Sequence, residues 1–273
     1  MDLKISGSIV LYKNDASVRT TISDFLSTSL PVRLYLVDNS PTDQLKQDLA
    51  DLVQDDRVEY LFNSKNLGFG AGHNIAIRKA IHLYPYHLVL NPDVSFKQGV
   101  LESLLNYMQE NKDVGLVTPK ILYPNGEVQY AAKLLPTPSD LIFRRFLPSF
   151  VTKKRNEYFE MHGMGYNKEI QVPYLSGCFM FLRTEGLKKV GLFDERFFMY
   201  PEDIDLTRRM HREYKTIFYP KVSIVHQHAR GSYKSLSLLY IHIINMIRYF
   251  NKWGWFFDFE RKLINKRIRK QYE

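Results

Sequence analysis

The chain has one cysteine, Cys178, among 273 residues. That excludes an internal disulfide framework and a cysteine-based zinc site, and it fits a reducing compartment. No apolar run reaches the ~18 uninterrupted residues of a spanning helix. At the amino terminus no basic stretch, apolar stretch and small-residue cleavage site follow one another; MDLKISGSIVLY enters a strand-like run at once, and secretion is not expected. Internal repeats and low-complexity linkers are also missing. Glycine is absent from SIVLYKNDASV, the first strand and the turn after it, which argues against a glycine-rich phosphate loop there.

What is present, 45% hydrophobic and 14% aromatic residues, suffices for one main domain with an appendage. A net charge of +9 points to anionic partners: nucleotide phosphates, lipid headgroups or nucleic acid. The basic residues cluster in the tail rather than among aromatic stacking platforms, so nucleic acid is not expected.

From Ile5 to Leu90 short apolar runs (SIVLY, VRLYLVD, VEYLF, HLVLN) alternate with amphipathic stretches, a βαβαβαβ pattern. A parallel sheet of this kind binds ligand beyond its strands' carboxyl ends. The residues standing there are Tyr12-Lys13-Asn14, Asp38-Asn39-Ser40, Asn63 to Asn66, and Asn91-Pro92-Asp93. ILYPNGEVQY predicts a hairpin around Asn125-Gly126. Leu134 to Ile170 shows no periodicity and reads as loops and short helices. YLSGCFMFLR reads as one buried strand, a helix opens at Pro201, and TIFYP and VSIVH read as a strand pair. From Ser235 a helical, amphipathic, basic segment breaks near Gly254. It lies on a membrane surface or packs its apolar face on the domain.

Several residues have the right type for chemistry, each beside a plainer role. Asp38 offers a carboxylate to a base or forms an Asx-turn. In NSKNLGFGAGHNIAIRKA three glycines precede a helix whose N-terminus can meet an anion. The dinucleotide fingerprint fails, since His73 occupies the third glycine's position. Asp93 is a hard oxygen ligand for Mg²⁺ or Mn²⁺, or part of an Asn-Pro-Asp turn. Glu202 and Asp203 in MYPEDIDLTRRM are functional carboxylates or complement the helix dipole, with Asp205 and Arg209 as an i,i+4 pair. His226 or His228 in VSIVHQHARGS completes a metal site or lies on the surface.

The ordered set SIVLYKND, LVDNSPTD, NLGFGAGHNIAI, LNPDV, SGCFMFLR, VGLFDERFFMYPEDIDLTRR and HQHARGS resembles the family 2 glycosyltransferases, particularly their rhamnosyltransferase-like branch that builds O-antigens and related polysaccharides. The resemblance runs from about Ile5 to Ser232. It implies an α/β GT-A fold, a Rossmann-like nucleotide-binding mixed sheet flanked by helices. Residues 1–232 form the domain, with a donor half of about 1–118 and an acceptor half of about 119–232. The amphipathic basic helical segment is 233–273.

It further implies an inverting enzyme in which Asp38 contacts the donor's base, with Tyr12 and Asn14 nearby, and Asn66, Gly68 and Asn74 flank the nucleotide. Asp93 stands for the last aspartate of the metal-binding D-x-D motif, with Asn91 at the first position. Asp203 is the base, with Glu202 beside it, and His226, or His228, is a third metal or phosphate contact. The expected cofactor is Mg²⁺ or Mn²⁺. Rhamnose from dTDP-rhamnose is the favoured donor, with a UDP-galactose or galactofuranose type as the alternative, and a lipid-linked glycan such as O-antigen is the acceptor. The setting implied is cytoplasmic, peripheral on the anionic inner face of the plasma membrane, with oligomeric state open. A sugar nucleotidyltransferase is disfavoured by the glycine-free first turn, and a non-catalytic carbohydrate-binding or scaffold protein of the same fold is the remaining reading.

Overall fold

A computed structural model describes residues 4–141, 149–227 and 236–272. β1 (Ile5–Leu11), β2 (Val32–Asp38), β3 (Val58–Phe62) and β4 (Tyr86–Leu90) pair in parallel in the order β3-β2-β1-β4. Between them run α1 (Val18–Leu26), the short α2 (Gln44–Asp48) and α3 (Ala50–Val53), and α4 (Phe69–Ala80). This is the alternation expected from the apolar runs. β6 (Val114–Leu122) and β11 (Lys215–His226) are parallel to each other, and β10 (Phe179–Arg183) lies antiparallel between β4 and β6. Six strands therefore end on one edge, where the sequence places its polar residues.

Two strands of two residues complete the sheet on β11, both antiparallel to it: β5 (Val94–Ser95) and β8 (Ile170–Gln171). β7 (Ala132–Lys133) and β9 (Tyr174–Leu175) form a separate ribbon. The remaining helices are α5 (Val100–Glu110), α6 (Ser149–Phe159), α7 (Thr184–Val190), α8 (Glu202–Glu213), α9 (Leu236–Trp253) and α10 (Phe259–Arg269).

Strand alternation builds two cores. Ile5, Ile9, Leu36, Leu88, Phe179 and Phe181 meet α1 and α5 on one face. Val89, Leu116, Met180, Leu182 and Phe218 meet α8 and the carboxyl-terminal helices on the other. On this second face Ser6 and Ser8 are linked to His87 and His73 by bonds of 2.7 to 2.8 Å, tying β1 and β4 to α4. Burial keeps both imidazoles neutral and pushes His87 down to about 3.

The predicted hairpin forms: Tyr123 N–H donates to Glu127 O at 2.7 Å, and Gly126 takes φ +85°. Two strand expectations are corrected. YLSGCFMFLR splits into β9 and β10, because Gly177 turns to bring its N–H to Asp203. TIFYP and VSIVH form one strand, β11, paired with β6 along both parts, and Pro220, which has no N–H to donate, is absorbed in a register shift between Tyr219 and Ser223.

The break at Gly254 (φ +99°) separates α9 from α10. Tyr249, Phe250, Ile264 and Ile268 are buried in the second core, so one face of the segment packs on the domain. Burial of such side chains contributes about 1.5–3 kcal/mol each. Its outer side exposes Phe256, Phe257, Phe259 and Leu263. No helix among the described residues is long and apolar enough to cross a membrane.

Arg208 of α8 is 1% exposed and holds Asp258 through two bonds of 2.7 and 2.8 Å, and Glu260 at 2.6 Å. Asp258 also accepts Arg261 N–H as the N-cap of α10. Removing one partner of a buried pair strands the other charge. Asp258→Ala is therefore expected to cost about 3–5 kcal/mol in urea unfolding; a loss within experimental error would show that water or Glu260 satisfies Arg208 unaided.

Candidate active site

The site forms where the strand ends converge. After Leu90 the chain passes through Asn91, Pro92 and Asp93, and Val94 then pairs with His226 at the end of β11. The Thr21 hydroxyl fixes this bridge, lying 2.8 Å from Pro92 O and 2.7 Å from Val94 O. Asp93 Oδ1 and Asn91 Nδ2 thereby each come 3.3 Å from His226 Nε2. On the ring's other side Gln129 Oε1 is 3.0 Å from Nδ1, while Gln129 Nε2 donates to His226 O at 2.6 Å. Burial opposes a charge on this imidazole, but Cys178 and Asp93 push it up to about 10. His228 lies outside the described residues.

Among the described residues no group of three or more His, Cys, Asp or Glu side chains could hold a metal. One carboxylate oxygen and one imidazole nitrogen side by side nevertheless fit a Mg²⁺ or Mn²⁺ ion whose other ligands are phosphate oxygens and water. The donor set fits the expected cofactor in that form.

The second half of the site is the start of α8, where Glu202 and Asp203 follow Pro201 and are both nearly buried. Asp203 Oδ2 accepts Gly177 N–H at 3.0 Å and Oδ1 accepts Ile204 N–H at 2.7 Å. Burial outweighs these amides and the charge of Lys133, raising Asp203 to about 6. Burial together with the charge of Asp203 raises Glu202 much further, and its Oε2 has no hydrogen-bond partner. Burial and hydrogen bonding therefore favour the proton on Glu202 and the charge on Asp203. Asp205 turns into the protein, bound to Arg209, Lys252 and Trp253 Nε1 at 2.6 to 2.9 Å, which extends the expected i,i+4 pair. Tyr200, just before α8, holds φ +93°, a strained backbone state for a non-glycine residue.

A single turn joins the halves. Asn91 N–H donates to Cys178 O at 2.9 Å, and the preceding residue, Gly177, donates to Asp203. A side chain at Gly177 would begin 3.2 Å from Asp203 Cβ and 3.4 Å from the Phe69 ring.

The donor-side residues divide. Asp38 is fully buried; Oδ1 takes the Asx-turn bond from Ser40 N–H at 2.8 Å and Oδ2 the Tyr60 hydroxyl at 2.5 Å. Tyr12 is exposed, and Asn14 Oδ1 accepts its N–H. Asn66 Oδ1 accepts Gly68 N–H, and Gly68 takes φ +86° with any Cβ only 2.3 Å from Phe198 O. The first amide of α4, Phe69 N–H, donates to Phe198 O at 3.0 Å, so that amide is taken up by protein. Asn74 is buried, with both ends of its amide bound to Phe193 and Glu195, and it anchors the segment leading to α8. Sequence pattern gave no sign of Tyr60, Gln129 or the Gly177 amide: each acts through a partner distant in sequence. The glycine in SGC, not singled out by the sequence reading, is the one local feature there that allows a close approach.

Residues 8–191 match the model of glycosyl transferase family 2. The chain is 29% identical over 223 residues to the N-acetylglucosaminyl-diphospho-decaprenol L-rhamnosyltransferase of Mycobacterium tuberculosis, covering 76% of this chain and 70% of that protein. It is 31% identical over 150 residues to the rhamnosyltransferase WbbL of Escherichia coli, covering 52% and 54%. A crystal structure of GalNAc-T7 with UDP, GalNAc and Mn²⁺ aligns with a TM-score of 0.62 at 16% identity, over 82% of this chain and 43% of that one. S. aureus TarS 1-349 aligns at 0.58 and 16% identity, over 89% and 66%. The fold is therefore GT-A, and the chain belongs to glycosyl transferase family 2.

Proposed function

We propose that the protein is an inverting, Mg²⁺- or Mn²⁺-dependent rhamnosyltransferase that takes rhamnose from dTDP-rhamnose and adds it to a lipid-linked polysaccharide acceptor such as O-antigen. The observation that carries this is the Gly177–Cys178 turn, which holds Asp203 and the Asn91–Asp93 bridge on opposite sides of one point. The rhamnosyltransferases among the relatives support the sugar, and the acceptor named for the mycobacterial one supports a lipid diphosphate.

Transfer with inversion needs a base for the acceptor hydroxyl, alignment behind the anomeric carbon, and neutralisation of the leaving diphosphate. Asp203, ionised and fixed by two backbone amides, takes the hydroxyl proton. Glu202, neutral beside it, adds no competing charge. Asp93 and His226 would hold the divalent cation, which supplies positive charge to the departing diphosphate. Asp38, Tyr12, Asn14, Asn66, Gly68 and Asn91 form or support the donor's wall, with Asn74 bracing it from behind. A screen of dTDP- and UDP-sugars for donor hydrolysis, with and without Mn²⁺, tests the reading; turnover of a UDP-hexose alone would remove rhamnose.

Asp203→Asn is expected to lower transfer by roughly 10²–10⁴-fold with donor affinity and melting temperature nearly unchanged. Glu202→Gln replaces one neutral group by another of similar shape, so it should lower the rate far less. Because the pKa of Asp203 is raised to about 6, the base is protonated as pH falls through that value. kcat/KM for transfer should show an acid limb near pH 6, absent from the residual activity of Asp203→Asn. Full activity in Asp203→Asn would overturn the mechanism.

The outer side of the carboxyl-terminal segment fits peripheral contact with anionic membrane: Phe256, Phe257, Phe259 and Leu263 are 69 to 85% exposed, among outward Lys262, Lys266, Arg267 and Lys270. Truncation would open the second core, so the test uses the full chain with Phe256, Phe257 and Phe259 replaced by serine. Wild type should co-sediment with anionic vesicles and the variant should not. Equal pelleting of both would remove the membrane role.

A further inference from the structure

We propose that Gln129 is the positioning residue of the site's imidazole: it keeps a hydrogen on Nδ1 of His226 and so presents Nε2, beside Asp93, as a nitrogen ligand for a divalent cation. This rests on the reading of Asp93 and His226 as the cation's protein ligands.

The orientation of the Gln129 amide is determined by its two partners. One end lies 2.6 Å from the carbonyl oxygen of His226, an atom that only accepts, so that end is the NH₂ group. The other end is then Oε1, 3.0 Å from Nδ1. An amide oxygen has only lone pairs to offer, so the hydrogen of this contact must be on the ring. A cation beside Asp93 displaces the proton that Asp93 and Cys178 otherwise draw onto the ring; with the remaining hydrogen kept on Nδ1, Nε2 has the lone pair that a metal needs. The Asn91 amide nitrogen 3.3 Å from Nε2 is a donor and is compatible with it.

The grip is also geometric. Gln129 holds the backbone oxygen and the ring of the same residue, which fixes the ring's rotation. At 7% exposure, the glutamine leaves water little access to replace it. The hairpin at Asn125-Gly126 brings it there: Gln129 N–H returns to Ile121 O at 2.9 Å, beside the end of β11 and 97 residues before its partner. Gly126, whose positive φ makes the turn, thus serves the metal-facing histidine from a distance. Partners of a metal-bound histidine's second nitrogen typically govern metal affinity by about 10–100-fold.

The test measures Mn²⁺ binding to the full chain by electron paramagnetic resonance at saturating UDP or dTDP, together with metal-free nucleotide binding and thermal unfolding. Gln129→Leu should weaken Mn²⁺ by about 10–100-fold with metal-free nucleotide affinity unchanged. Gln129→Glu keeps an oxygen opposite Nδ1 and, with a proton on its other oxygen, a donor to His226 O, so it should weaken Mn²⁺ far less than leucine does. Rescue by glutamate and not leucine separates positioning from packing. Wild-type Mn²⁺ affinity in Gln129→Leu alongside a loss in His226→Ala overturns the proposal and leaves the histidine a ligand. Unchanged Mn²⁺ binding in His226→Ala, or none in wild type, overturns both. Should Gln129→Leu not fold, Gln129→Glu decides: retained affinity supports the proposal, and a loss of about tenfold or more overturns it.

Discussion

Between Leu90 at the end of β4 and Val94, the residue paired with His226, the chain has only Asn91, Pro92 and Asp93. In the sheet, however, β4 and β11 are separated by β10 and β6. Val94 lies in β5, beyond β11 and four inter-strand steps from β4, about 19 Å in a flat sheet, and three linking residues do not reach that far. The far half of the sheet must therefore curl back. The pairing shows how: β10 meets β6 only around Leu116 and Val117, and β6 then continues beside β11 and the returning arm of its own hairpin. The register shift after Tyr219 supplies the bend. Asp93, Asn91 and His226 come together because the short bridge leaves the sheet no other shape.

The same edge sets the chemistry of α8. A carboxylate in the first turn of a helix is stabilised by the dipole and by backbone amides, which would leave Asp203 a poor base. Burial works the other way and wins, because the charged form gives up water when Gly177, Phe69 and the residues before α8 close over it. Only one of two adjacent buried carboxyls can ionise easily, so the proton settles on Glu202, whose Oε2 lacks a partner, and the charge on Asp203, which has two amides. Which carboxyl is charged and which is neutral follows from hydrogen bonding rather than from sequence position.

Strand ends, the NPD bridge and the helix opening on Glu202 were legible because apolar runs and local turn chemistry are properties of contiguous residues. The parallel order of the first four strands followed from their alternation with helices. Two-residue strands such as β5 leave no periodic trace, and so the proximity of Asp93 and His226 rested on resemblance alone. The splitting of YLSGCFMFLR was hidden because its apolar pattern survives the turn at Gly177. Asn74 looked like a ligand-loop residue, but its amide is directed at Phe193 and Glu195, more than a hundred positions away. Polar side chains whose partners are remote in sequence are the part of a site that pattern cannot supply.

The chain's positive charge also changes meaning once the fold is known. Arg208 and Arg212 of α8 pair with Asp258 and Glu260, and Lys252 pairs with Asp205, and these ion pairs bind the carboxyl-terminal segment to α8. Trp253 adds to this junction, with its ring 4.1 and 4.5 Å from the guanidinium carbons of Arg208 and Arg212. Net charge therefore overstates the cation left for an outside surface, to which the outer face of α10 contributes Lys262 and Lys266. The helix whose first turn holds Asp203 is thus clamped along its length to the segment that exposes Phe256 and Phe257. If that segment rests on a bilayer, α8 fixes the height of Asp203 above it. An acceptor tethered by its lipid would then meet Asp203 at a set distance, limited by the rigidity of the buried Arg208–Asp258 pair.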